Sequence, residues 1–228
     1  MSLILNMESA TTVCSVALSD KGRVLAVREL NDGYTHAENL HVFIEAVLKE
    51  QGVSARELAA VAVSKGPGSY TGLRIGVSAA KGLCYALGLP LIGVDTLQAM
   101  AFRAREKFPE VPYFCPMIDA RRMEVYCAVF DRSLRMVKPT EALVVDEQSK
   151  GLFNAYPGLC VFGDGMAKCK TLLRDVPGVS FAEDLHPSAE SLCALSYERF
   201  RAQHFEDTAY FEPYYLKDFL ILKKQVKD

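Results

Sequence analysis

The chain has 228 residues, room for one large domain or two of about 110 residues each. Half of it is hydrophobic, 24% is charged and the formal net charge is -2. That balance excludes bulk disorder and weighs against an independent nucleic-acid binder, whose phosphate contacts need clustered Lys and Arg. The seven cysteines, Cys14, Cys84, Cys115, Cys127, Cys160, Cys169 and Cys193, are odd in number and show no C-x-x-C or zinc-finger spacing. They read as small buried hydrophobes and as reduced thiols. No basic leader followed by a long apolar stretch is present, nor any run of about 18 apolar residues. The expectation is a soluble, cytoplasmic protein that does not cross a membrane.

Three strands are predicted first: Leu3–Met7, Val13–Leu18 and Arg23–Leu30, the last two joined by a hairpin turn at Ser19-Asp20-Lys21-Gly22. A helix follows from Thr35 or His36 to Gln51, with Leu40, Phe43, Ile44, Val47 and Leu48 at helical period and Gly52 as its stop. Leu58–Ser64 is apolar at nearly every residue, which predicts an interior, parallel strand. After a glycine-rich loop come a helix from Tyr70 to Leu87, a strand at Leu91–Val94, and a helix opened by Asp95-Thr96 that runs to Lys107.

Pro109–Pro112 marks a boundary, because a displacement of 111 residues carries Glu8 onto Asp119, Val16-Ala17-Leu18 onto Cys127-Ala128-Val129 and Asp20 onto Asp131. Duplication at this period predicts two α/β units of β-β-β-α-β-α type, residues 1–108 and 109–228. Within the second, Leu159–Gly163 and Val179–Ala182 read as strands, Met166–Leu173 and Ala189–Gln203 as helices. The tail 205–228 carries two aromatic clusters, then Leu220-Ile221-Leu222 and a basic end, and has no assigned element.

The most distinctive segment is Ser64-Lys65-Gly66-Pro67-Gly68-Ser69-Tyr70-Thr71-Gly72-Leu73-Arg74-Ile75-Gly76, set between a strand and a helix. It is neither a P-loop, since Gly72-Leu73-Arg74 stands where Gly-Lys-Ser/Thr is needed, nor a dinucleotide fingerprint. Two readings stay open: a ligand-binding loop at a helix N-terminus, or close packing along Gly72, Gly76 and Ala80, which fall at i, i+4 and i+8. His36 and His41 are five apart, roughly 140° around a helix, so they make a poor metal pair. Glu8 and Asp119, duplicated acids at strand ends, are candidates for holding Mg²⁺ or orienting a water if a cleft brings them together. The turns after them, Ser9-Ala10-Thr11-Thr12 and Ala120-Arg121-Arg122, lack the glycine that lets backbone approach a phosphate. No Ser-His-Asp or Cys-His arrangement is legible.

Taken in order, five segments resemble the TsaB (YeaZ) family: Glu8-Ser9, His36-Ala37-Glu38, Ser64 to Gly76, Asp119-Ala120-Arg121-Arg122-Met123-Glu124-Val125-Tyr126, and Pro213-Tyr214-Tyr215-Leu216. Glu8 stands where that family usually has Asp, and Ala37 where it has Ser. The resemblance implies an actin-like ATPase (ASKHA) fold of two RNase H-like halves. It implies a non-catalytic subunit that pairs with TsaD for threonylcarbamoyl transfer to the adenosine beside the tRNA anticodon. A TsaE-like ATPase would dock on the pair, tRNA would be met only through the complex, and ATP and metal would belong to TsaD and TsaE, with no cofactor on this chain. In the family the first two helices form a bundle with TsaD. That makes Leu40, Phe43, Gly72, Gly76 and Ala80 partner-binding candidates, beside the motif loop Gly66, Pro67, Gly68, Ser69 and Thr71. Arg121, Arg122 and Glu124 are candidates for the TsaE contact, and self-pairing of the isolated chain through the same helix face is the homodimer alternative. A metal-dependent, glycoprotease-like peptidase is the alternative function, and an ATP-dependent chaperone-like domain is a third reading suggested by fold alone.

Overall fold

Leu3–Glu8 (β1) is buried at all six residues, because it is paired on both edges and covered on both faces. In the computed structural model, which describes residues 2–33 and 35–217, β1 runs antiparallel to Val13–Asp20 (β2) and parallel to Ala60–Gly66 (β4). Arg23–Asn31 (β3) pairs with β2, and Leu91–Asp95 (β5) with β4, giving the order β3-β2-β1-β4-β5. The β2–β3 turn places Lys21 at φ 50° and Gly22 at φ 80°, the left-handed pair that a two-residue hairpin with right-twisted strands demands. β4 starts two residues later than the apolar run predicts. Ser54 and Glu57 form a capping box around a short 3₁₀ turn at Ala55–Glu57, which takes Leu58 as its end.

The second half repeats the first. Tyr113–Asp119 (β6), Glu124–Asp131 (β7), Met136–Val144 (β8), Leu159–Phe162 (β9) and Ser180–Ala182 (β10) form a sheet of order β10-β9-β6-β7-β8, with the same parallel and antiparallel pairings. β7 is β2 displaced by the 111 residues read from the sequence. Helices His36–Glu50 (α1), Tyr70–Leu87 (α2) and Thr96–Lys107 (α3) follow β3, β4 and β5, while Lys150–Phe153 (α4), Met166–Leu173 (α5) and Ala189–Arg201 (α6) follow β8, β9 and β10. Each unit therefore extends the β-β-β-α-β-α pattern by one strand and one helix. This is the α/β actin-like ATPase architecture.

The layers do not follow the halves. α1 and α2 cover one face of the first sheet through Leu40, Ile44, Val47, Val77 and Ala80. Its other face takes Ala189, Leu192, Cys193 and Leu195 of α6, an element of the second half. Conversely α3, from the first half, sends Leu97, Met100, Ala101 and Ala104 onto Phe114, Ile118, Ala128 and Phe130 of the second sheet. α6 thus crosses to the first sheet, while α3 lies between the sheets with Ala99 and Phe102 against the first. All seven cysteines are free and buried in these cores.

α6 is also tied to the first sheet by buried polar groups. Ser196 Oγ donates to Asn6 Oδ1 at 2.6 Å, and the Ala189 N–H donates to Ser15 Oγ at 3.1 Å. The chain after α6 returns to the edge of β5, where the Glu206 N–H donates to the Leu91 carbonyl and Phe211 lies over Gly93. Lys81 of α2 donates to the carbonyls of Ala209 and Phe211, and the Tyr214 N–H to that of Lys65. Leu220-Ile221-Leu222 and the basic end lie outside the described residues.

Ser196→Ala leaves Asn6 Oδ1 without that donor in a buried layer. Chemical denaturation is expected to show a loss of about 1–3 kcal/mol, whereas Ser78→Ala on the exposed face of α2 is expected to cost almost nothing.

Candidate functional site

β1 ends at Glu8, and the chain then folds over the N-terminus of α2. Ser9, Ala10 and Thr11 are buried, and three glycines of the motif make room for them. A Cβ on Gly68 would strike the Ala10 carbonyl, one on Gly72 the Ser9 carbonyl, and one on Gly76 the Ser9 hydroxyl. His36, the first residue of α1, lies against Gly72, and its Nε2 donates to the Thr11 carbonyl at 2.7 Å. Burial holds the His36 imidazole below its ordinary pKa, which favours the neutral ring.

The loop's amides are used within the chain. The Ser69 N–H donates to the Ala10 carbonyl at 2.6 Å, the Gly66 N–H to Thr96 Oγ1 at 3.1 Å, and Ser69 Oγ accepts from the Gly72 N–H at 3.3 Å as the helix cap. Gly66, at φ 112°, also faces the Tyr214 carbonyl. Of the two open readings, close packing is what the geometry supports. What approaches the glycine face is the β1–β2 turn, with His36 at the start of α1 beside Gly72. Thr71 alone among the motif-loop candidates is exposed.

Glu8 is fully buried. Its Oε1 accepts from the Ala10 N–H at 2.6 Å and from Ser64 Oγ at 2.8 Å, while Oε2 has no hydrogen-bond partner among the described residues. Desolvation outweighs those bonds and pushes the carboxyl up to about 7. With Glu8 beside it, burial also pushes the Cys14 thiol up to about 11, which makes that sulfur a poor nucleophile. Asp119, the duplicate of Glu8, is exposed instead. It accepts Lys168 Nζ at 2.7 Å and the Arg121 N–H at 2.6 Å, and its own N–H donates to Asp164 Oδ1 at 3.0 Å. Among the described residues no three His, Cys, Asp or Glu side chains converge as metal ligands. The two acids therefore have separate structural surroundings, and the shared Mg²⁺ site considered for them has no support here.

The partner-binding candidates divide. Leu40, Gly72, Gly76 and Ala80 are buried in the chain's own packing and Phe43 is half-buried against it, so this set is not an exposed docking face. The outward face of the same helices carries Val42 on α1, 59% exposed, and Tyr85 on α2, 88% exposed, with Ser78, Gly82 and Ala86 at i, i+4 and i+8 also exposed. The i+4 glycine spacing was legible in sequence, but two such stripes lie on α2 and only burial tells them apart. Arg121 and Arg122 are exposed at the β6–β7 turn, both with positive φ, and make no ion pair among the described residues. Glu124 is half-buried and pairs with Lys217. Spacing did not reveal Lys168, which clamps this turn from α5 by donating to both Asp119 Oδ1 and the Glu124 carbonyl.

A sheet pair of this topology defines a class of actin-like α/β proteins. The activator of the 2-hydroxyisocaproyl-CoA dehydratase from Clostridium difficile, solved with bound ADPNP, shares it at a TM-score of 0.53 and 8% identity, over 89% of this chain and 97% of that one. The family model described as TsaD, tRNA N6-adenosine threonylcarbamoyltransferase, matches residues 33–220. The tRNA threonylcarbamoyladenosine biosynthesis protein TsaB of Escherichia coli is 32% identical over 97% of each chain. A solved protein of Pseudomonas aeruginosa, described as uncharacterized with similarity to peptidase YEAZ, superimposes at a TM-score of 0.83 with 27% identity, over 95% of this chain and all of that one. The chain belongs to the TsaB (YeaZ) family.

Two outcomes follow from the buried turn. Gly72→Ala is expected to destabilise by about 1–3 kcal/mol or more, since backbone rather than a flexible side chain must move, whereas Gly82→Ala, with open space around it, is expected to stabilise by about 0.5–1 kcal/mol. Urea denaturation of each variant reads the difference. Because folding raises the Glu8 pKa from 4.5 to about 7, the native state binds the extra proton between those values. Its contribution is complete below pH 4.5 and disappears as pH rises through about 7, a fall of about 3 kcal/mol. Stability measured across pH 4.5 to 8 should show that slope in the parent chain and lose it in Glu8→Gln.

Proposed function

We propose that this chain is an accessory, non-catalytic subunit of tRNA threonylcarbamoyladenosine synthesis that pairs with a TsaD-type relative. The observation that carries the reading is the filled α2 N-terminus. Gly68, Gly72 and Gly76, which on an uncovered helix N-terminus would offer open backbone to an anion, are covered by Ser9 and Ala10. Glu8 and His36 are likewise engaged in holding this turn. Family membership and the biosynthetic role named for the Escherichia coli relative supply the pathway. A metal-dependent peptidase has no supporting observation among the described residues.

The partner-facing surface in this reading is the outward side of α1 and α2. Small residues at Ser78, Gly82 and Ala86 permit close approach of another helix, and Val42 and Tyr85 supply apolar area beside them. Aromatic side chains that become buried on association dominate many interfaces. The β6–β7 turn, with Arg121 and Arg122 exposed and Glu124 at its base, is the proposed contact for a TsaE-like ATPase. ATP and metal are assigned to those partners.

Size-exclusion chromatography with light scattering tests the pairing directly. Mixing the chain with TsaD from the same source is expected to give a one-to-one complex. Tyr85→Asp should weaken it by about tenfold or more while leaving the melting temperature of the isolated chain unchanged. Threonylcarbamoyladenosine in tRNA is expected to fall on deletion of the gene. Unchanged levels, or a complex indifferent to Tyr85→Asp and Val42→Glu together, would overturn the subunit role or its interface respectively.

A further inference from the structure

α2 is gripped at two points by the strap that follows α6. Toward its middle, Lys81 Nζ donates to the carbonyls of Ala209 at 3.1 Å and Phe211 at 2.9 Å. At its first residue, the ring of Tyr70 lies against that of Tyr215, with centroids 4.8 Å apart. Arg74 covers the same Tyr70 ring and donates to its hydroxyl at 3.0 Å. Eleven residues of helix separate Tyr70 from Lys81, about 17 Å of rise. Only four residues of chain lead from Phe211 to Tyr215, and they span at most about 14 Å. The strap is therefore drawn along the flank of α2, with the Lys81 and Tyr215 side chains making up the difference.

The strap is shaped for this contact. The Ala209 and Tyr210 N–H groups donate to Asp207 Oδ1 at 2.8 and 3.2 Å, and the Phe211 N–H donates to the Asp207 carbonyl at 2.8 Å. That turn uses its own amides and leaves the carbonyls of Ala209 and Phe211 for an outside donor, which Lys81 supplies. Phe211 lies over Gly93 of β5, and the Tyr214 N–H donates to the Lys65 carbonyl at 2.6 Å, so the strap is fixed to the sheet as well as to the helix. Lys81 stands three residues after Ser78 and four before Tyr85, next to both on the helix surface. Among the described residues no carboxylate pairs with it.

We propose that Lys81 is a positioning residue, and the strap of residues 206–216 a brace, for the face of α2 that meets the partner. Close approach of another helix to Ser78, Gly82 and Ala86 tolerates little rotation of α2. A brace that removes this freedom before association lowers the cost of binding. The inference rests on the subunit reading above, and it assigns the strap no direct contact with the partner.

Calorimetric titration of the full chain with TsaD from the same source, together with hydrogen exchange of the free chain, tests it. Lys81→Met keeps the stem and removes the donors. It is expected to weaken the complex about three- to tenfold and to speed amide exchange in residues 206–216. Lys81→Arg, which can still donate to both carbonyls, should stay within about twofold of the parent. Tyr215→Ser, at the other end of the strap, should weaken the complex about two- to fivefold, and it keeps the test decisive if Lys81→Met fails to fold. Tyr85→Asp is the control for the face itself. Loss of affinity in Tyr85→Asp with none in Lys81→Met or Tyr215→Ser overturns the brace and keeps the pairing face. Weakening by Lys81→Met, with exchange unchanged and Tyr215→Ser silent, makes Lys81 a direct contact and overturns the brace as well. A complex indifferent to Tyr85→Asp overturns the face, and the brace with it.

Discussion

Backbone-to-backbone contact between the Ser9–Ala10 turn and the glycine face of α2 is the constraint on which the first half is built. Three missing side chains let a turn sit where a helix surface would otherwise exclude it. The contact seats α2 against the end of β1, brings His36 and therefore α1 onto the same turn, and encloses Glu8. The cost is a buried carboxyl with one oxygen unpartnered among the described residues, which is tolerable because burial keeps that group largely protonated below neutrality.

The middle layer sets the relation between the sheets. α6 packs on the sheet of the other half and α3 lies between the two sheets, touching both, so neither half can bury its apolar faces alone. Buried polar contacts from Ser196 and Ala189 specify how α6 lies on the first sheet, since a displaced helix would leave Asn6 and Ser15 unsatisfied. Beyond α6, the strap of residues 206–215 closes the β5 edge and meets α2 through Lys81. An open edge strand invites pairing with other chains, and this segment covers it.

Duplication has been kept in topology and lost in the sites. β1–β2 and β6–β7 are related by one displacement, yet Glu8 is enclosed while Asp119 is exposed and paired with Lys168. A cleft enzyme of this architecture would need both acids facing one ligand. Here each serves its own turn, one through backbone amides and Ser64, the other through an α5 lysine. That divergence agrees with the accessory role proposed above.

Most strands and helices were legible from periodicity, but the four-residue α4 was not. The hairpin at Lys21-Gly22, the Asp95 cap and the stop at Gly52 each follow from local rules about φ and unpaired amides, which depend on neighbours in sequence. The 111-residue repeat was legible for the same reason, because duplicated strands preserve their alternation. Only the tertiary structure decided which of the two small-residue stripes on α2 faces inward, which sheet each central helix covers, and that Glu8 is buried while Asp119 is not. Those outcomes depend on which surfaces meet across the fold. A stripe of glycine, serine and alanine carries little hydrophobic signal of its own, so its burial is determined by what packs against it.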